Sequence, residues 1–221
     1  MSETKTRDEI CRVGRSLFER GYVHGTAGNI SLRLDDGFLL TPTDACLGFL
    51  DPARIARIDT DGRQIDGDRA SKTLGLHTAI YAAALAFDSA TRCIIHTHST
   101  HAVALSLRCN TPELLEPITP YFVMKVGHTP LLRYQRPGDP TVATQVAALI
   151  TQYGEAGTPL RAVMLQRLGP NVWHDSAAEA MVVLEELEET ARISLLAGTP
   201  APEPLGEMQI DELRRNFGAR W

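Results

Sequence analysis

The sequence predicts a mixed α/β sandwich, with helices covering a sheet built largely from hairpins. Three observations point there. An amphipathic helical segment opens the chain, two Asp-Gly turns between strand-like runs follow it, and further helices alternate with the later strands. The order, hairpins set between helices, differs from a strictly alternating parallel fold.

Each element has its own signal. Arg7 to Arg20 carries Ile10, Val13, Leu17 and Phe18 at helical spacing, and Gly21 stands where a helix-closing glycine belongs. Asn29–Leu34 and Phe38–Thr41 flank Asp36-Gly37, and Arg54–Asp59 and Arg63–Ile65 flank Asp61-Gly62, two hairpin patterns. Thr73 to Phe87 predicts a helix with Leu76, Ile80, Ala83, Ala84 and Phe87 on one side. Arg92 to His98 reads as a strand and His101 to Leu107 as a helix. Asn110 to Gly127 holds three prolines and commits to no element, while Thr129 to Tyr134 suits a strand. Asp139-Pro140 starts a helix that runs to Tyr153, with Gly154 closing it. Arg161–Arg167 and Asn171–His174 read as strands joined by a Gly169-Pro170 turn. Ser176-Ala-Ala-Glu179 is a capping box that opens a helix to about Leu196. Three prolines between Thr199 and Pro204 mark a linker to a last helix, Glu207–Phe217. The expected organisation is one domain over 1–198, with the linker and short helix of 199–221 packing on it.

Composition narrows the function. The 221 residues are 43 % hydrophobic, 22 % charged and 6 % aromatic, enough for one domain with a real core. Twenty-two Lys and Arg against 27 Asp and Glu give a net charge of −5 with no basic run, which argues against nucleic acid and anionic membrane as partners. No apolar run approaches the ~20 residues of a membrane span. The polar stretch Met1 to Arg12 reads as neither a secretion signal nor a transit peptide. Cys11, Cys46, Cys93 and Cys109 are widely spaced, so they are expected as reduced thiols in a cytoplasm rather than a disulfide framework or zinc ribbon.

Three segments carry possible chemistry. His96 and His98, two apart on one strand, share a face, and two imidazoles there can grip a divalent ion; alone, the pair reads first as two histidines hydrogen-bonded at a strand end. Gly25-Thr-Ala-Gly28-Asn29-Ile-Ser31 is a small-residue turn whose amides and polar side chains suit an anion, or simply a tight turn. Ser71-Lys72, just before a helix, offers a hydroxyl, an ammonium and free amides for a phosphate, or else a cap beside a solvent-facing lysine.

Taken in order, Gly25 to Ser31, Thr41-Pro-Thr43, Ser71-Lys72 with His77, and Ile95-His-Thr-His-Ser-Thr-His101 resemble the class II aldolase/adducin family. The resemblance runs from about Arg7 to Leu196. Leu47–Pro52, Thr119–Gly127, Arg136–Pro140 and Glu186–Ala191 are most similar to its 3-oxo-tetronate 4-phosphate decarboxylase branch. The resemblance implies a three-layer α/β/α sandwich with a mixed, largely antiparallel sheet, in a homotetramer with active sites between subunits. It implies a divalent metal, zinc first, held by His96 and His98, and a substrate phosphate held by Gly28, Asn29, Thr43, Ser71 and Lys72. His77 and His101 match supporting positions. The implied activity is a carbon–carbon lyase, aldolase or decarboxylase, acting on a small phosphorylated sugar or sugar acid.

Two positions depart from that pattern. Where the family has a general acid/base Glu after the Ser-Lys pair, this chain has Thr73; where it has the third metal histidine, in an Asn-His-Gly-Pro turn, this chain has Leu168. Thr has no useful pKa near neutrality and Leu binds no metal. His128, His174 or a neighbouring subunit are the candidates for a replacement ligand. The departures open a second reading, a pocket that binds a phosphorylated molecule without lyase activity. A third, Fe²⁺ with O₂ activation on two histidines, lacks a visible carboxylate to complete its triad.

Overall fold

The computed structural model describes residues 2–221. Among these residues are six α-helices and one eight-stranded sheet. The strands are β1 (Asn29–Leu34), β2 (Gly37–Leu40), β3 (Ala56–Ile58), β4 (Gln64–Asp66), β5 (Cys93–His96), β6 (Leu131–Leu132), β7 (Ala162–Leu165) and β8 (Gly169–His174). They lie in the order β4-β3-β2-β1-β5-β8-β7-β6. Every neighbouring pair is antiparallel except β6–β7. The sheet is therefore mixed and largely antiparallel, as the resemblance implies.

Strand alternation sorts the core onto two faces. Ile30, Leu32, Cys93, Ile95 and Val172 face one side, packed with Ile10, Val13 and Leu17 of α1 (Glu3–Glu19), Ala102 of α3 (Thr100–Ser106) and Val183, Leu184 and Leu187 of α5 (Ala177–Ala197). Leu40, Ile58, Ile94, Val163 and Trp173 face the other, under Leu76 and Ile80 of α2 (Leu74–Ala84) and Val146 and Ile150 of α4 (Thr141–Glu155). Helices on both faces make the three-layer α/β/α sandwich.

The local signals explain most boundaries. Gly21 takes a positive φ just past α1, and Ser176 accepts the Glu179 amide at 3.2 Å to start α5. Asp139 accepts the Thr141 amide at 3.0 Å ahead of α4. α6 (Glu207–Phe217) buries Ile210, and Trp221 beyond it stacks on His128 with ring centroids 4.3 Å apart.

Four expectations need correction. The strand carrying the histidines ends at His96, so His98 lies just beyond it. Within 129–134 the strand is only Leu131–Leu132, with Pro130 in an isolated bridge to Glu113. Gly154 does not close α4 but lies inside it, facing the Phe87 ring. Gly169 and Pro170 are not a turn: they pair with Leu165 and Met164 as the start of β8, and the turn is Gln166 to Leu168. The proline-bearing 110–127 stretch, left without an element, contains a π-helical turn, Phe122–Val126.

Gly169 shows why that turn is where it is. Its φ is +140°, and a Cβ there would stand 1.9 Å from the Thr97 carbonyl oxygen. Only glycine lets β8 press this closely on the end of β5. Gly169→Ala is therefore expected to lower unfolding free energy by roughly 2–4 kcal/mol, read from denaturant midpoints; a loss within experimental error would contradict this packing.

Candidate active site

The pairing register builds the site. Asn29 on β1 stands opposite His96 on β5, and His96 stands opposite Asn171 on β8. The three side chains form one row across the middle of the sheet, on the face that α2 covers. Gly28 closes the row from the β1 side. Its φ is +87°, and a Cβ would lie 2.8 Å from the His96 carbonyl oxygen.

Asn29 and His96 are each held by a specific partner. His77 of α2, fully buried, meets the Asn29 Oδ1 with its Nε2 at 2.6 Å and the Ser31 Oγ with its Nδ1 at 2.7 Å. Because the amide oxygen only accepts, Nε2 carries the proton and Nδ1 accepts from Ser31. The Ser31 hydroxyl is also 3.0 Å from the Tyr81 hydroxyl. This chain of contacts turns the Asn29 amide nitrogen away from His77. Burial, with His96 nearby, pushes the His77 pKa down to about 3, so its imidazole is neutral.

His96 is held in the same way. Its Nδ1 donates to the Pro170 carbonyl at 2.9 Å, leaving the Nε2 lone pair free. Burial and the neighbouring His98 lower its pKa to about 4, which keeps that lone pair unprotonated. The His98 ring lies with its centroid 5.0 Å from that of His96, so the two imidazoles remain neighbours although His98 has left the strand. Burial lowers the His98 pKa, and His24 lowers it further. His24, on the exposed turn ahead of Gly28, was not marked by any sequence pattern; its only signal was its position four residues before that glycine.

The segments expected to bind an anion meet at the neighbouring strand ends. Thr41 exchanges hydrogen bonds with Ile30, giving its amide to the Ile30 carbonyl at 3.0 Å and accepting the Ile30 amide on Oγ1 at 3.1 Å. Ser71 in turn donates its amide to the Thr41 carbonyl at 3.2 Å, and Thr43 donates to the Arg69 carbonyl at 2.9 Å. Thr43 and Ser71 are thus tied to one loop pair beside Asn29. Thr73 is the N-cap of α2 but gives its amides no side-chain bond; its hydroxyl lies 2.9 Å from the Ser71 Oγ instead. The amides of the first turn of α2 consequently lack a capping side chain. Lys72 is exposed, its Nζ 3.9 Å from Asp44 Oδ1.

Other candidates fall elsewhere. His101 is joined to Glu188, which accepts the His101 and Ala102 amides at 2.8 and 2.9 Å and so caps α3. His174 pairs with Cys93, three residues from His96 along β5 and on the opposite face. His128 is engaged by Glu113 and Trp221. Neither supplies a third ligand within the chain. Leu168 packs on the apolar cluster under α2 and α4. Among the described residues no three His, Cys, Asp or Glu side chains converge to hold an ion. The donor set that does fit a divalent cation is His96, His98 and the buried Asn171 amide, whose Nδ2 and Oδ1 have no hydrogen-bond partner.

The neutrality of His77 has a measurable consequence. An unfolded imidazole binds its proton near pH 6.5 and the folded one only near 3, so His77 makes folding less favourable as pH falls through that window. His77→Gln removes the titrating ring. The unfolding free energy of the native chain should fall relative to this variant by up to about 1.4 kcal/mol per pH unit below 6.5; parallel curves between pH 7 and 4.5 would refute it.

Comparison with known proteins agrees with this architecture. The family model for the class II aldolase and adducin N-terminal domain matches residues 8–195. A 3-oxo-tetronate 4-phosphate decarboxylase of Cupriavidus necator is 51 % identical, covering 100 % of this chain and 99 % of that protein. An L-fuculose phosphate aldolase of Methanocaldococcus jannaschii is 31 % identical over 86 % of this chain and 96 % of its own length. The crystal structure of YgbL from Klebsiella pneumoniae superposes with a TM-score of 0.87 at 40 % identity, covering 97 % of this chain and all of that one. With the family model spanning residues 8–195 and a relative 51 % identical along the whole chain, this chain belongs to the class II aldolase and adducin family.

Proposed function

We propose that this chain, a carbon–carbon lyase, decarboxylates a small phosphorylated 3-oxo sugar acid, as the name of its Cupriavidus necator relative describes for that protein. The observation that carries the reading is the meeting of two kinds of group at one end of the sheet. Asn29 stands beside His96, the loop carrying Thr43 is hydrogen-bonded to the same strand through Thr41, and the Ser71 loop is hydrogen-bonded to Thr41 in turn.

Each residue then has a task. Gly28, the Asn29 amide nitrogen, the hydroxyls of Thr43 and Ser71, and the Lys72 ammonium receive the phosphate, with the open amides of α2 adding their dipole. Ser31 and His77 hold Asn29 in its donor orientation. His96, fixed by the Pro170 carbonyl, and His98 would hold a divalent cation, zinc in the first instance. When bound, that ion polarises the substrate ketone and takes up developing negative charge. Loss of CO₂ breaks the carbon–carbon bond without a protein base, whereas aldol cleavage requires removal of a hydroxyl proton. Thr73 supports the first and provides nothing for the second. Water supplies the proton that completes the product.

Thr73 and Leu168 favour a second reading, a phosphate-binding pocket without turnover. Release of CO₂ from 3-oxo-tetronate 4-phosphate by the purified, metal-supplemented protein is the expected result; binding of that compound without CO₂ would establish the second reading. Lys72→Ala should weaken binding of a phosphorylated ligand by about tenfold or more, and unchanged affinity would remove Lys72 from the site. The double change Leu168→His with Thr73→Glu should raise zinc affinity by at least about tenfold, measured by calorimetry. The chain is further proposed to work as a cytoplasmic homotetramer, for which light scattering at micromolar concentration is the check.

A further inference from the structure

Asn171 is buried completely, and both ends of its carboxamide lack a hydrogen-bond partner. Leaving a buried polar group unpaired costs about 1–3 kcal/mol, so an asparagine in such a place needs a reason. Its surroundings offer none within the protein. On one side it pairs with Val163, which is apolar. On the other it pairs with His96, whose Nδ1 is already given to the carbonyl of Pro170, the residue next to Asn171.

Facing pairs on antiparallel strands place their Cβ atoms about 4.5–5.5 Å apart. The Asn171 amide therefore stands beside the His96 ring, whose Nδ1 is taken by Pro170 and whose centroid lies 5.0 Å from that of His98. A carboxamide oxygen is a neutral donor to divalent cations, weaker than imidazole and tolerant of harder ions. Leu168, at the family's third-histidine position, lies three residues before Asn171 and contributes only apolar contact.

We propose that the Asn171 Oδ1 is the third protein donor to the divalent cation held by His96 and His98, supplied from β8 in place of the histidine that this chain lacks at Leu168. The assignment rests on the metal-centre reading above. It makes the site a two-imidazole, one-amide centre, with the remaining positions open to water or to the substrate's oxygens. The same strand then serves the centre twice, orienting His96 through the Pro170 carbonyl and binding the ion through the next side chain.

The test is titration of the metal-free protein with Co²⁺, followed by visible absorption and calorimetry, alongside thermal unfolding. The native chain should bind one ion, and His96→Ala should abolish that binding. Asn171→Val should bind at least about tenfold more weakly, yet in the metal-free state unfold at the same temperature or higher, because an unpaired amide has gone. Asn171→Asp should bind at least about tenfold more tightly, since it presents a charged oxygen at the same place. If the native chain takes up no Co²⁺, the metal-centre reading itself fails. If it does bind Co²⁺ but Asn171→Val binds equally well, the centre stands and Asn171 is not its ligand. A metal-free Asn171→Val protein that unfolds at a lower temperature would likewise overturn the proposal, because the amide would then have a structural partner.

Discussion

The site depends on the pairing register of β1, β5 and β8. Antiparallel pairing sets Asn29, His96 and Asn171 side by side. A slip of one residue on any of the three strands would turn its member of the row to the opposite face. Two glycines protect the register where side chains would break it. Gly28 lets the turn before β1 reach the His96 carbonyl, and Gly169 lets β8 reach that of Thr97. Backbone contacts too close for a Cβ therefore hold the strand ends in place before any ligand enters. The buried apolar side chains of both faces then fix the sheet between the helix layers.

Burial gives this row its chemistry. Imidazoles on a solvated surface would be partly protonated near neutrality, and a protonated ring neither binds a cation nor accepts a proton. Here desolvation holds His77, His96 and His98 below the ordinary histidine range. The cost of burying their polar atoms is offset by hydrogen bonds. His77 is satisfied at both nitrogens, and His96 at one. The nitrogen of His96 that stays free is the one suited to a ligand. Positive charge near these loops comes from the exposed Lys72 and from the partial charge at the start of α2, with Arg54 and Arg69 lining the cavity beside Thr43.

Much of the fold was legible in the sequence because its signals are local. Asp36-Gly37 and Asp61-Gly62 specify hairpins through backbone sterics, and Ser176 with Glu179 specifies a helix start through two nearby groups. Gly169-Pro170 misled for the same reason: the dipeptide favours turns locally, but the Thr97 carbonyl requires the glycine inside a strand. The π-helical turn at Phe122–Val126 has no local pattern to announce it. Within the site, the histidines and the Gly-Asn turn could be read by spacing. His77's bond to Asn29 could not, because the two residues are separated by 48 positions. Asn171 was invisible as a site residue, since only the paired strands bring it beside His96.

Thr73 and Leu168 look different once they are seen in place. Each is accommodated without strain: the Thr73 hydroxyl pairs with Ser71, and Leu168 joins the apolar cluster beneath α2 and α4. Replacing a glutamate by threonine at the start of α2 also removes a negative charge from the positive end of a helix dipole. The phosphorylated sugar acid proposed as substrate would bring two anionic groups of its own. A protein carboxylate at that position would repel both and would compete for the same amides and the same cation. Without it, the row and the start of α2 present neutral imidazoles, amides and hydroxyls beside Lys72. That balance is consistent with the proposed sugar-acid substrate, whereas aldol cleavage of a sugar phosphate without a carboxylate would need a base that Thr73 does not provide.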